Sequence, residues 1–132
     1  LNGALAGLVA ITAEPLTPGP ITAMIIGSIG AVIMYYGTKL LENFGLDDVV
    51  GAIPVHMFAG IFGTLVVPLT NADTSFGTQL IGVISVCIFS FVLSWITFST
   101  LKSTVGLRIS RAAEKQGTDK AEVGVIAYSI RD

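Results

Sequence analysis

Charged side chains are scarce in this sequence. They make up 12% of its 132 residues, about half of the roughly 25% found in an ordinary soluble domain. This scarcity excludes a disordered chain, which needs high charge and few apolar groups. Seven Lys and Arg stand against nine Asp and Glu, so there is no basic footprint for nucleic acid, and we expect no nucleic-acid partner. The single Cys87 excludes an internal disulfide and a metal site built from several cysteines.

The residue combinations of an active site are also missing. The sequence has one histidine and shows no nucleophile paired with a base, no phosphate-binding loop and no metal-ligand spacing. We therefore expect a protein that is not an enzyme and that carries no cofactor or resident metal.

The distribution of the charges indicates a membrane protein. Three runs, residues 15–38, 49–72 and 74–101, contain no Asp, Glu, Lys or Arg, and each exceeds the ~20 residues that cross a bilayer as a helix. A fourth uncharged run, 1–13, is too short to span alone, and we interpret it as the end of a helix whose beginning is missing. The fold class is an all-α polytopic transmembrane helix bundle, and the chain is expected to be the C-terminal part of a longer protein. The predicted spans are about 1–13, 17–40, 49–69 and 77–101, and the tail is 102–132.

The basic residues predict the topology of these spans. The turns at 14–20 and 70–77 contain only acidic charges, Glu14 and Asp73, whereas the 39–48 loop and the tail hold every basic residue. Because the basic side of short loops faces the cytoplasm, we expect a multi-pass protein of the cell membrane with a cytoplasmic C-terminus. The basic residues are Lys39, Lys102, Arg108, Arg111, Lys115, Lys120 and Arg131.

Local signals predict where the helices begin and end. Three prolines between residues 15 and 20 mark the first turn, since proline does not continue a helix. Asp47 and Asp48 precede the third run, where a carboxylate caps the free N–H groups of a helix N-terminus. In the tail, the segment 110–123 predicts a short surface helix.

Small residues recur in all the early spans. Glycine, alanine and serine let helix backbones approach closely in lipid, where no hydrophobic drive holds helices together. We interpret most of them as packing residues of a helix bundle.

His56 is the candidate functional residue. It is the only histidine and lies roughly 10–12 Å from the cytoplasmic end of its span, near the bilayer middle, where an ionisable group by default marks a pathway or site. Helical spacing predicts that it shares one face with Ala52, Ala59/Gly60 and Gly63, whose small side chains leave room beside the imidazole. Pro54 predicts a bend with a freed carbonyl. The alternative is a histidine that only joins two helices by a hydrogen bond.

The chemistry of such a face limits the solute. A neutral imidazole offers one donor and one acceptor, which suits a small polar molecule or a proton relay. It does not suit conduction of a bare metal cation, which needs rings of oxygen ligands. The residues alone indicate a narrow, mostly apolar path lined by a histidine.

Three stretches resemble the ammonium transporter family (Amt/Mep/Rh), in that family's order. Residues 2–13, NGALAGLVAITA, resemble its eighth transmembrane helix, and residues 47–65, DDVVGAIPVHMFAGIFGTL, resemble its tenth. The segment 104–108, TVGLR, followed by Gly117-Thr118-Asp119, Gly124 and Ala127-Tyr128, resembles its cytoplasmic tail. By this resemblance the chain covers helices eight to eleven of an eleven-helix fold.

The resemblance implies a role for two residues and a set of partners. His56 matches the second of two facing pore histidines, and Ala52 matches a pore-facing position one turn earlier. Ammonium would lose its proton before the apolar section, and ammonia would cross it. The family also implies a homotrimer in the lipid bilayer and a signalling protein of the PII type at the tail. The first pore histidine, the cation site and the gate belong to helices that this chain does not contain.

Three alternatives stay open at this point. Val123 and Val125 around Gly124 depart from the polar pattern of the family's tail, which motivates a membrane ammonium sensor with the same fold. A Rh-like channel for another neutral gas is a second alternative. A trimer-forming remnant without a pore is the third.

Overall fold

The computed structural model describes residues 1–127, and every secondary-structure element in this range is helical. No strand occurs in this part of the chain, which confirms the all-α class. Two compact units, 1–88 and 89–132, are described separately below. Residues 128–132, with Tyr128 of the tail motif and Arg131, lie outside the described part.

Four apolar helical stretches follow one another along the chain. Two of them, Pro20–Asn43 and Phe76–Thr104, are long and apolar enough to cross a membrane, and two are shorter. The third stretch is continuous but changes type, from a π-helical turn at Ile53–Phe58 through an α-helix at Ala59–Val66 to a 3₁₀ turn at Val67–Leu69. The α-helices are α1 (Asn2–Thr12), α2 (Pro20–Asn43), α3 (Ala59–Val66), α4 (Phe76–Thr104) and α5 (Arg111–Gln116).

Two helices begin a few residues later than the predicted spans. Helix α2 begins at Pro20 rather than near 17, with Gly19 extended before it, because proline suits the first helical position, where its missing N–H is not needed. The third stretch begins at Ile53 rather than near 49, because Gly51 has a left-handed φ of 74° that a regular helix does not contain.

Small residues bring three helical stretches of the first unit into close contact. Ala6 and Ala10 of α1 are fully buried between α2 and α3. A Cβ added to Gly30 of α2 would lie 2.7 Å from the Cβ of Ala10. On the other side, a Cβ at Gly63 of α3 would overlap the backbone of Ala10. These positions are therefore packing residues, as predicted.

Two hydrogen bonds join the ends of this unit. At one end, the side-chain amide of Asn71 donates to the Glu14 carboxylate at 2.8 Å. At the other end, the amide of Asn2 donates to the carbonyl oxygen of Val50 at 3.0 Å. The two acidic turns therefore lie side by side, and α1 runs parallel to the third stretch.

The second unit contains the end of α4 and the tail. Helix α4 buries none of its residues in the described structure. In the tail, α5 begins where the Ser110 hydroxyl accepts the Ala113 N–H at 3.2 Å. The short helix predicted within 110–123 is instead two helical pieces, because Gly117 interrupts the segment with a φ of 95°. A separate π-helical turn, Asp119–Val123, follows.

We expect Gly30→Ala to destabilise the bundle and Gly82→Ala to leave it intact. Both changes add one methyl group to a helical glycine. The new Cβ at position 30 would meet Ala10 and the Ala6 carbonyl, whereas nothing lies within 4 Å of the one at position 82. Overpacking of this kind costs about 1–3 kcal/mol. Unfolding of the full-length protein in mixed micelles measures the difference, and equal stability of the two variants would contradict the close packing.

The Glu14–Asn71 contact predicts a pH dependence. The Asn71 amide, and then the backbone N–H of Leu16, lower the pKa of Glu14 below its ordinary value. A carboxylate whose pKa is lowered on folding stabilises the fold above its unfolded pKa, and this contribution disappears as the pH falls through the folded pKa. We expect Asn71→Ala to raise the pKa of Glu14, measured by carboxyl carbon NMR. Thr70→Val in the same turn is the control and should leave that pKa lowered.

Candidate functional site: the π-helical turn around His56

Pro54 explains the start of the irregular turn. Proline has no N–H, so the carbonyl of Val50, four residues earlier, receives no backbone hydrogen bond from it. The side-chain amide of Asn2 donates to that carbonyl instead. Gly51 makes this possible, because a Cβ at position 51 would lie 2.7 Å from Nδ2 of Asn2. The beginning of α1 thus replaces the hydrogen bond that Pro54 removes.

Asp48 caps the same turn, which confirms its predicted role. Its two carboxylate oxygens accept the N–H groups of Ala52 at 2.9 Å and of Ile53 at 2.8 Å. A negative charge at a helix N-terminus also interacts favourably with the helix dipole. Asp48 therefore holds the backbone about one turn before the imidazole, at Ala52 and Ile53.

One side of the turn is buried against the other helices. Pro54 and Val55 are buried, and Ala59 follows them into the core with Ala6. The ring of Phe58 lies against α2 at Gly37, where a Cβ would overlap it. This side of the turn has little freedom to rotate, because the backbones and the ring are in direct contact.

Ala52 and His56 lie on the other side of the turn, and both are exposed in this chain. The predicted face therefore divides: Ala59 and Gly63 pack against α1, whereas Ala52 and His56 remain together outside the core. The prediction assumed regular α-helical spacing. The π-helical turn makes i→i+5 hydrogen bonds and changes the angle between successive side chains.

No group of residues 1–127 forms a hydrogen bond with the His56 imidazole. The alternative of a histidine that joins two helices is therefore not realised within this part of the chain. Both ring nitrogens are available to a partner from outside it. π-Helical turns inside longer helices frequently occur at functional sites, and this one carries the only histidine.

The contribution of Asn2 was not predicted. Pro54 indicated a freed carbonyl, but its donor comes from 48 positions earlier in the chain, and no local pattern identifies it. Gly51, three residues before Pro54, was the available signal, since glycine permits the close approach of another group.

We expect Asp48→Asn to loosen the turn and Asp47→Asn to have no such effect. Asn retains one acceptor oxygen in place of two, so one of the two capped N–H groups loses its partner. Loss of an N-cap costs about 0.5–2 kcal/mol. Hydrogen exchange of the Ala52 and Ile53 amides measures the effect. Asp47 is exposed, so Asp47→Asn is the control that removes the same charge one residue away. Equal exchange in both variants would contradict the capping role.

Similarity to known proteins identifies the family of this chain. The model of the Ammonium Transporter Family matches residues 1–128. Ammonium transporter Amt2 of Archaeoglobus fulgidus is 38% identical over 96% of this chain and 31% of its own length. Ammonium transporter Amt2 of Methanocaldococcus jannaschii is 36% identical over 96% of this chain and 32% of its own length. The ammonium transporter of Corynebacterium glutamicum is 32% identical over 98% of this chain and 32% of its own length. The chain spans about a quarter to a third of the length of the curated relatives it matches, and it belongs to the ammonium transporter family.

Proposed function

We propose that this chain forms part of a membrane protein that conducts ammonium as ammonia, with His56 on the wall of the path. The observation that carries this proposal is the exposed imidazole on a π-helical turn whose opposite side is fixed by packing. Three relatives named as ammonium transporters support the substrate.

The cost of solvation explains the mechanism. A bare cation in a dry channel is very unfavourable, and a neutral molecule is much less so. Ammonium therefore gives up its proton before the apolar section, either to water or to the histidine relay, and ammonia crosses. A neutral imidazole accepts a hydrogen bond at one nitrogen and donates one at the other, so His56 guides ammonia or relays the proton together with a second histidine from another helix.

Ala52 occupies the position one turn before His56. Its methyl group leaves space beside the imidazole, and its N–H is held by Asp48. We infer that Ala52 lines the same path. A larger side chain here would narrow the path without altering the packed side of the turn.

The distribution of acidic and basic residues supports an orientation in the cell membrane, together with the hydrogen bonds at the two ends of the first unit. The acidic turns that meet through Glu14 and Asn71 face outside, and the basic tail faces the cytoplasm. The protein is multi-pass and assembles as a homotrimer in the lipid bilayer. Its tail is the surface available to a signalling protein of the PII type.

An ammonium sensor is the second candidate, and the tail favours it. Val123 and Val125 are 73% and 61% exposed and stand where the family's tail is polar. Flux of ammonium in proteoliposomes distinguishes the two functions. A channel shows flux that a pore block abolishes, whereas a sensor binds ammonium without flux. Competition between solutes in the same assay tests a Rh-like gas channel.

We expect His56→Ala in the full-length protein to reduce ammonium flux at least tenfold or to abolish its selectivity over potassium. Because the imidazole is exposed and forms no hydrogen bond within residues 1–127, the variant should fold normally. His56→Gln keeps a neutral donor and acceptor and should retain more flux than His56→Ala. Flux in proteoliposomes and the unfolding midpoint are measured together. Unchanged rate and selectivity in a folded His56→Ala protein would reduce His56 to a packing residue.

A further inference from the structure

The face of α1 that carries Asn2 lies along the third helical stretch. Asn2, Ala6 and Ala10 follow one another at intervals of four residues and therefore share one side of the helix. Ala6 packs in one buried cluster with Ala59. Ala10 lies against Gly63, where an added Cβ would overlap the Ala10 backbone. The packing of the next two turns of α1 therefore fixes where Asn2 lies.

Asn2 contacts the third stretch at one peptide group. Its side-chain amide donates to the carbonyl oxygen of Val50 at 3.0 Å, and the N–H of the same peptide, from Gly51, donates to the Asp48 carbonyl oxygen at 3.1 Å. The peptide is planar, so its rotation would change ψ of Val50 and φ of Gly51 together. The hydrogen bond from Asn2 therefore acts on the backbone conformation of Gly51.

Gly51 needs this contact because glycine alone does not select one conformation. Its φ is 74°, and glycine adopts positive and negative φ about equally readily. The residue is buried, and the Asn2 amide fills the space beside it, where a Cβ would lie 2.7 Å from Nδ2. Asn2 thus favours the left-handed backbone at the point where the chain enters the π-helical turn.

One further hydrogen bond connects Gly51 to the residue before His56. The carbonyl oxygen of Gly51 accepts the N–H of Val55 at 3.1 Å. Val55 is buried, and His56 follows it on the exposed side of the turn. A rotation at Gly51 would move the acceptor of the Val55 N–H and would therefore displace the imidazole relative to the packed helices.

Asp48 and Asn2 support the turn in different ways. Asp48 caps the N–H groups of Ala52 and Ile53, but it belongs to the same segment and would move with it. Asn2 belongs to another helix, 48 positions earlier in the chain. Its hydrogen bond therefore fixes the segment relative to the bundle, which the local cap does not do.

We propose that Asn2 is a positioning residue of the solute path, and that its hydrogen bond to Val50 sets how well the path separates ammonia from larger neutral amines. This inference rests on the proposed function and deepens it. Asn2 acts without touching the solute, through the Val50–Gly51 peptide and from there on Ala52 and His56. A displacement of these two residues changes the width of the path, which decides between solutes that differ by one methyl group.

The ratio of methylammonium flux to ammonium flux in proteoliposomes tests this role. A loss of folded protein lowers both fluxes equally, so the ratio responds only to the path. Asn2→Leu in the full-length protein keeps a similar volume and removes the donor. We expect the ratio to change about threefold or more, because one methylene in a fitted pocket is worth roughly 10–200-fold in discrimination and a displaced wall loses part of it. Asn2→Gln retains an amide donor and should stay closer to the wild-type ratio.

Gly30→Ala is the matched control for stability. Its new Cβ would meet Ala10 and the Ala6 carbonyl, so it disturbs the packing of α1 but leaves the Asn2 amide on Val50. We expect a lower unfolding midpoint and an unchanged flux ratio. The same change of ratio in Gly30→Ala and Asn2→Leu would overturn the proposal, as would a wild-type ratio in folded Asn2→Leu.

A double-mutant cycle tests whether Asn2 acts through the Val50–Gly51 peptide. Gly51→Ala displaces the Asn2 amide, and Asn2→Ala removes it, so both changes break the same hydrogen bond. Changes that share one interaction are not additive. We expect the double variant to shift the flux ratio no further than Gly51→Ala alone, and additive shifts would overturn this route.

The outcomes also separate this inference from the proposed function. Wild-type protein without ammonium flux would overturn the channel itself. Flux that falls in His56→Ala but keeps the wild-type methylammonium ratio in Asn2→Leu would overturn only the positioning role of Asn2.

Discussion

Proline has no amide hydrogen, and at Pro54 that single missing donor determines how the site is built. A backbone carbonyl without a partner is costly in an apolar medium, where water does not replace the lost hydrogen bond. Asn2 supplies the donor for Val50, Gly51 provides the space for it, and Asp48 caps the N–H groups that follow. The turn is irregular, yet the backbone groups at its start have partners.

This arrangement separates two tasks on one short segment. Pro54, Val55 and Phe58 hold the turn against α1 and α2 through close contact. His56 and Ala52 face away from that contact. In the proposed channel, the side chain that meets the solute does not also stabilise the bundle, and its position is set by neighbours that the solute does not touch. Such a support would hold the imidazole in a fixed position for a small, weakly bound molecule.

Much of the fold follows from patterns that act over short distances. Uncharged runs predicted the apolar helical stretches, prolines predicted the first turn, and Asp48 was predicted as a cap. The differences come from single residues. Gly51 delays the third stretch, and Gly117 ends α5, because both adopt left-handed φ values that helical periodicity does not reveal. Ala59 and Gly63 are buried whereas His56 is exposed, because the i→i+5 hydrogen bonds of the π-helical turn change the angle between successive side chains. The donor from Asn2 is a contact between distant parts of the chain and has no local signal.

The left-handed glycine before Pro54 also constrains how this segment can change over generations. Any residue with a Cβ at position 51 would adopt an unfavourable backbone conformation and would at the same time displace the Asn2 amide from the Val50 carbonyl. One substitution would therefore bring two independent penalties. Positions 2 and 51, although far apart in sequence, are therefore coupled, because the side chain at position 2 occupies the space that a Cβ at position 51 would need.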